Sequence, residues 1–426
     1  MKSLTRVLLA TSAMLMAGTA YAQDLTIWGL QAFNEAADQY IAETVKAFGA
    51  ERGINAEYVV VPANVLNERL AAAFEGGSPP DVFMQVGGQA QYYPSLGLTL
   101  PIPEILEEMR AKEGGIYEGM VSQIMYNGEV HGVPLEVDVV PMYARKDLLE
   151  AQGLGVPTTW EELRTASQKI LAADRTITPF AMPTSTANDA DGQIKQVVWS
   201  FGGHMFAEDG KTVTWDSPET RAAYQFLADM FAEGTIPRST LTWDDAGNNT
   251  AYQTGRAAFT INPPSIYSWM VDNDQELLAN TELIAIPKGP GEAGRSGSSA
   301  GSWVWIVSKA TDRPDDAKAW LSYFFDTARY EKLIDTVGGR WVPIFPALTA
   351  SMPLFKDTPA FANFNEMAGS GIVDGYKGPP SALNAEVGVA KIVSQSFQKV
   401  VVDGASVEEA VTWAQAEIEK LAAKYQ

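Results

Sequence analysis

The chain has 426 residues, 31 Lys and Arg against 52 Asp and Glu, a formal charge of -21, and no cysteine. That charge repels phosphate backbones and anionic headgroups, which argues against nucleic-acid or membrane-surface partners. The missing thiols exclude disulfides, thiolate zinc sites and a cysteine nucleophile, and the length exceeds one ordinary core, so two lobes are expected.

Lys2 and Arg6 flank the start of an apolar run over 7–17, and Ala20-Tyr21-Ala22 supplies small residues where a signal peptidase reads. This is the pattern of a secretory signal peptide over residues 1–22, too short to span a bilayer. With no cysteine for a lipid anchor, the mature chain is expected free in the periplasm, starting at Gln23 or Asp24. Strand patterns over 24–28, 57–61 and 81–85 alternate with helical patterns over 35–48 and 66–74. That alternation argues for a parallel sheet covered by helices.

The central stretch opens on Gly132-Val-Pro134 and predicts a strand over 139–143 and a short helix over 146–152. Thr159 and Glu162 then have the spacing of a capping box, as do Ser406 and Glu409 near the C-terminus. Ser217 before Pro218 reads as an N-cap followed by a first-turn proline. Glycines and prolines cluster at or beside 135–138, 284–288 and 338–343, which are the expected crossings between lobes.

Three motifs mislead. Gly289 to Gly294 matches G-x-G-x-x-G, but a loop follows where a dinucleotide site needs a helix. Gly297 to Gly301 matches a nucleophile elbow, yet a strand follows it and both histidines, His131 and His204, lie upstream. Asp189-Ala-Asp-Gly192 lacks the later ligands of a calcium loop and reads as a polar turn ahead of a helix. No cofactor and no metal are expected.

Ligand sites in open α/β sheets gather past the carboxyl ends of strands. That rule selects Gln31 and Phe33 after the first strand, and Gln85 and Gln89 after the third. A glutamine amide both donates and accepts, which suits a neutral polyhydroxyl ligand. Gln196 and Trp199 lie three apart on one predicted helix and share a face, where Trp199 belongs either to the cleft or to the core.

The central block, together with 206–219, Tyr252 to Asn262, Ile284-Ala-Ile-Pro-Lys-Gly289 and Gly301 to Lys309, resembles the family 1 extracellular solute-binding proteins. These are sugar-binding subunits of bacterial importers. The resemblance spans nearly the whole mature chain. It implies an α/β fold of periplasmic-binding-protein type II: two α/β lobes joined by a multi-crossing hinge, with a ligand cleft between them. Lobe one would comprise 23–136 plus 288–340, and lobe two 137–287 plus 341–426.

The resemblance also implies site residues. Asp138 matches a hydroxyl-binding carboxylate, the alternative being a solvated hinge residue. Asn262 precedes a segment presenting an aromatic platform, which makes Tyr267 a stacking candidate. Ser302 and Trp303 begin a strand whose leading loop touches ligand. Trp303 and Trp305 point to opposite faces, so only one of them can reach the cleft. Arg340 either forks onto a ligand or is structurally paired with an acid; left unpaired by Asp138, it would favour an acidic sugar.

The function implied is capture of a mono- or disaccharide, polyol or acidic sugar by lobe closure and delivery to a membrane permease. The chain would act as a monomer and catalyse nothing. The rivals are a secreted glycoside hydrolase using paired carboxylates and a ligand-sensing partner of a membrane receptor.

Overall fold

The computed structural model describes residues 25–296, 298–358, 361 and 371–425; the signal-peptide reading and residue 24 lie outside the described residues. The first strand, β1 (Leu25–Leu30), pairs in parallel with β2 (Ala56–Val61) and β3 (Val82–Val86). The connecting helix Glu35–Arg52 starts where the Asn34 side chain accepts the Ala37 N–H at 3.0 Å. Acids in its first turn and Arg52 in its last complement the helix dipole. Gly53, at φ 68°, ends it in the left-handed conformation that a side chain resists.

A hairpin of β4 (Met125–Tyr126) and β5 (Glu129–Val130) leads to β6 (Val133–Pro134), an edge strand of the first sheet. The expected strand over 139–143 is two strands, β7 (Glu136–Val140) and β8 (Met142–Arg145). Pro141 separates them because it has no N–H to give a ladder. β8 enters the second sheet with β9 (Thr178–Phe180), β10 (Ala257–Ile261) and β11 (Thr281–Ile284), in the order β11-β8-β10-β9.

The chain then returns. β12 (Ser299–Gly301) pairs with β7, placing Gly301 opposite Asp138. β13 (Trp303–Val307) inserts between β3 and β6, antiparallel to both, and completes the first sheet as β2-β1-β3-β13-β6. β14 (Val342–Pro343) takes the other side of β7. The small sheet β12-β7-β14 therefore lies in the connections between the two large ones.

Two apolar cores follow from this routing. The first gathers Leu25, Ile27, Phe83, Trp305 and Trp320, and the second Met142, Trp160, Phe180, Trp215 and Phe259. Two stretches leave the expected lobe boundaries. Lys288 donates to Thr158 O and Arg295 to Ser200 O, each at 2.9 Å, so 288–295 stay with the second core. Trp341, Ile344 and Phe345 are buried in the first core, so the chain does not leave that core at residue 341. Gly338 and Gly339, at φ 56° and 86°, turn the chain towards β14.

Both expected capping boxes form. Thr159 Oγ1 accepts the Glu162 N–H at 3.3 Å while Glu162 Oε2 accepts the Thr159 N–H at 3.1 Å, opening helix Trp160–Ala173. Ser406 and Glu409 do the same for Val407–Ala422. Replacing Thr159 with Ala should cost about 1 kcal/mol in denaturant unfolding.

Glu136 on β7 is fully buried; its Oε1 accepts the Trp303 N–H at 2.8 Å. Burial and the nearby charge of Asp138 push its carboxyl well above the ordinary 4.5, against the opposing pull of the Trp303 N–H and Arg340. The folded state thus keeps a proton that the unfolded chain loses. Its contribution to stability is full below the unfolded value and declines as pH rises towards the folded one. Glu136→Gln should therefore gain stability relative to the parent as pH rises above the ordinary carboxylate range, read by urea midpoints. Parallel pH curves for the two proteins would contradict this.

Candidate ligand-binding cleft

A cleft of about 200 Å³ opens between the two large sheets. Its first wall is Phe33 after β1, Val86 at the end of β3 and Gly87-Gly88 just past it; Asp138, Ser302, Trp303 and Arg340 form its base. The second wall is one face of helix Asn188–Phe201, carrying Asp189, Gly192, Gln193, Gln196 and Trp199. Asp245, Asn249, Asn262 and Asp374 close it.

The base is built around a buried guanidinium. Arg340 is 1% exposed, donates from Nε to Ala32 O at 3.1 Å and from Nη1 to Asp138 Oδ1 at 3.2 Å. Its guanidinium carbon lies 5.2 Å from the Trp303 ring centroid and 5.8 Å from that of Trp341, within cation–π range. The two rings meet edge-on at 5.7 Å. Burial raises the Asp138 carboxyl, and Arg340 opposes that rise. Asp38 is likewise raised by burial, to about 6, against the Ala32 N–H and the charge of Arg340.

The second wall holds its own charges. Lys195 Nζ lies 2.9 Å from Asp374 Oδ1 and 3.3 Å from Asp191 Oδ2. Burial disfavours its charge, but those two carboxylates outweigh burial and keep Lys195 protonated. Asp189 accepts from Asn248 Nδ2 at 3.0 Å, and Asp245 Oδ1 accepts the Asp189 N–H at 2.9 Å. Burial raises the Asp189 carboxyl well above the usual carboxylate range and the charge of Asp245 adds to it, with Asn248 opposing.

The cleft gathers Phe33, Asp138, Gln196, Trp199, Asn262, Ser302, Trp303 and Arg340 from the sequence-predicted set. Trp303 lines it, whereas Trp305 packs edge-on against Trp320 and Phe324 in the first core. Trp199 is 3% exposed and lines the cleft with its indole N–H unpartnered. Four predicted residues do not line it. Gln31 is half-buried, and its backbone N–H donates to Val61 O at 3.0 Å beside β2. Gln85 is consumed internally, donating to Asn67 Oδ1 at 2.8 Å and Tyr93 OH at 3.1 Å while accepting the Val86 N–H. Gln89 accepts from Asn67 Nδ2 at 2.8 Å and donates to Asn188 Oδ1 at 3.2 Å, so it joins the two walls beside the cleft. Tyr267 is buried with its ring edge-on to Phe361 at 5.3 Å, in the first core.

Asp189, Gln193, Lys195, Asp245, Asn249 and Asp374 escaped the sequence reading. Gly192 and Gln193 were within reach, four and three residues back from Gln196, and Asp189 lies one further such step back. Asp245 and Asp374 lie outside the strands and helices and carry no such periodic signal. Among the described residues, no three His, Asp or Glu side chains converge to hold a metal ion.

The sequence pattern of the bacterial extracellular solute-binding proteins matches residues 30–329. A probable ABC transporter-binding protein of Deinococcus radiodurans is 24% identical over 382 residues, covering 86% of this chain and 87% of the relative. An ABC transporter solute-binding protein of Thermotoga lettingae, solved with alpha-D-tagatose, has a TM-score of 0.82 at 19% identity, over 94% of this chain and 100% of its own. A sugar transporter of Arthrobacter chlorophenolicus with bound laminaribiose gives 0.83 at 18% identity, over 93% and 99%. These likenesses establish the type II periplasmic-binding-protein fold, with its two α/β lobes and hinge. The matched residues run through both sheets and most of the cleft, and the chain belongs to the bacterial extracellular solute-binding protein family.

Proposed function

We propose that this protein is the substrate-binding subunit of an ABC importer, free and monomeric in the periplasm once residues 1–22 are removed. It captures a carbohydrate, a mono- or disaccharide or a polyol, and delivers it to a membrane permease. The observation that carries the reading is the cleft itself in a chain of this family. Trp303 offers an aromatic face beside the Arg340–Asp138 pair, and the facing helix supplies amides from Gln193 and Gln196. Stacking on a flat face and polar groups that both donate and accept are what a sugar ring needs. No helix among the described residues is long and apolar enough to cross a membrane.

We assign lobe one to the sheet β2-β1-β3-β13-β6 and lobe two to the sheet β11-β8-β10-β9, each with the helices that cover it, and the hinge to β7, β12 and β14. A ligand held by both walls shifts the population towards the closed form, and the permease reads that form. Micromolar affinity corresponds to about -8.2 kcal/mol, within reach of one stacking contact and several hydrogen bonds in a closed cleft.

Thermal melting against sugars and polyols should identify a binder that adds about 2.7 kcal/mol at a ligand concentration 100 times Kd. Shifts only with amino acids or polyamines would refute the carbohydrate assignment. Trp303→Ala should weaken the identified ligand at least ~10-fold by calorimetry, about 1.4 kcal/mol. The melt of the free variant separates that loss from unfolding, and an unchanged affinity would remove Trp303 from the site. Incubation with aryl glycosides should release no chromophore; turnover would favour the hydrolase instead.

A further inference from the structure

Phe33 lines the cleft from the first wall, and its backbone has φ 54°. That left-handed region suits glycine or asparagine and is resisted by a bulky side chain. Asn127 also adopts it, at φ 50°, but in the Asn-Gly turn of the β4–β5 hairpin, where the conformation is ordinary. A strained residue persists only where its surroundings over-determine it, and such residues gather at ligand sites.

Phe33 is held through its neighbours on both sides. Ala32 is fully buried, with its N–H donating to Asp38 Oδ1 at 3.1 Å and its carbonyl accepting from Arg340 Nε at 3.1 Å. One residue earlier, the Gln31 N–H donates to Val61 O at 3.0 Å. On the other side, Asn34 Nδ2 donates to Val337 O at 3.3 Å while its Oδ1 caps the helix Glu35–Arg52. Phe33 therefore absorbs the change of direction between β1 and that helix. Asp38 lies in the first turn of the helix, half-buried, and does not line the cleft. Burial raises its carboxyl to about 6, against the Ala32 N–H and the charge of Arg340. An acid that served the helix dipole alone would sit better in water.

We propose that Asp38 is a positioning residue for the cleft: it holds the Ala32 N–H while Arg340 holds the Ala32 carbonyl, and the two together keep Phe33 in its left-handed conformation, with its ring in place before a ligand arrives. The proposal rests on the carbohydrate reading and adds to it a residue outside the cleft. A sugar or polyol that meets a ring already in place orders less of the protein on binding, and its affinity is higher for that reason.

Ligand-free melts test the clamp. With Asp38 present, Phe33→Gly should melt about 2 °C above Phe33→Ala, because glycine is unstrained at this φ. In an Asp38→Ala background the segment relaxes, and that advantage should fall by about half or more. The same advantage in both backgrounds would overturn the clamp. Should Asp38→Ala not fold, Asp38→Leu keeps the shape without an acceptor and takes its place. Calorimetry with glucose, mannitol and maltose reads the consequence for binding. Asp38→Ala should weaken whichever of them binds about 10-fold, and Asp38→Asn, which loses the charge but keeps an acceptor oxygen, should recover most of that loss. Equal losses for Asn and Ala would reduce Asp38 to a helix-dipole acid and overturn the proposal. Added to Phe33→Ala, Asp38→Ala should weaken binding less than ~2-fold further, because the ring that it positions is gone. Fully additive losses would show that Asp38 does not act through Phe33. No heat from the parent with these three or with a wider set of sugars and polyols would overturn the carbohydrate reading instead, and the melts would still decide the clamp.

Discussion

A buried guanidinium must have its charge met, and Arg340 has it met where separate parts of the chain converge. Ala32 lies just past the end of β1, Asp138 on the hinge strand β7, and Trp303 at the start of β13; each touches Arg340. Removing one partner of a buried ion pair costs about 3–5 kcal/mol, because the other charge is left stranded. The pair therefore ties the exit of the first sheet's leading strand to the strand that carries the chain onward. Glu136, two residues from Asp138 on the same strand, is pushed towards its neutral form partly by that charge. The hinge thus carries one ion pair at its centre, with a raised carboxyl beside it.

Backbone geometry lets that pair form beside an open space. Gly339 has φ 86°, and a Cβ there would come within 2.5 Å of the Phe361 ring, so only glycine can turn the chain into Arg340 at this point. Gly87 and Gly88 play a matching part on the first wall. A Cβ on Gly87 would strike Gln123 and the Ser302 carbonyl, and one on Gly88 would strike Asp374. The turn after β3 comes this close to the opposing segment because it carries no side chains. Cleft width is set here by absent atoms as much as by the residues that line it.

What the sequence made legible was local or periodic. The capping boxes at Thr159 and Ser406, the N-cap at Ser217 and the alternation of strands and helices depend on neighbours within four residues, and all formed. Phe33 and Trp303 line the cleft because the ends of strands are fixed by hydrophobic pattern. Gln85 and Gln89 do not line it for a reason that no local pattern carries: Asn67, on a helix between β2 and β3, claims both amides. Trp341, Ile344 and Phe345, expected past a crossing, pack in the first core. Glycines announce a change of direction, and a reversal within one lobe uses the same backbone conformations as a crossing between two. Asp245 and Asp374 required the fold itself, since only tertiary packing brings them to the helix that holds Asp189 and Lys195.

The place of Gln89 beside the cleft has a mechanical consequence. By linking Asn67 to Asn188 it bonds the first wall directly to the second. Gln91 donating to Pro380 O at 3.2 Å and Asn384 donating to Gly88 O at 3.3 Å add two further links on that side. These bonds hold the lobes together without any ligand atom. A ligand can shift the open–closed balance only by the difference in its contacts with the two forms. Part of the free energy of closure is therefore supplied by the protein, and the ligand supplies the remainder from the cleft.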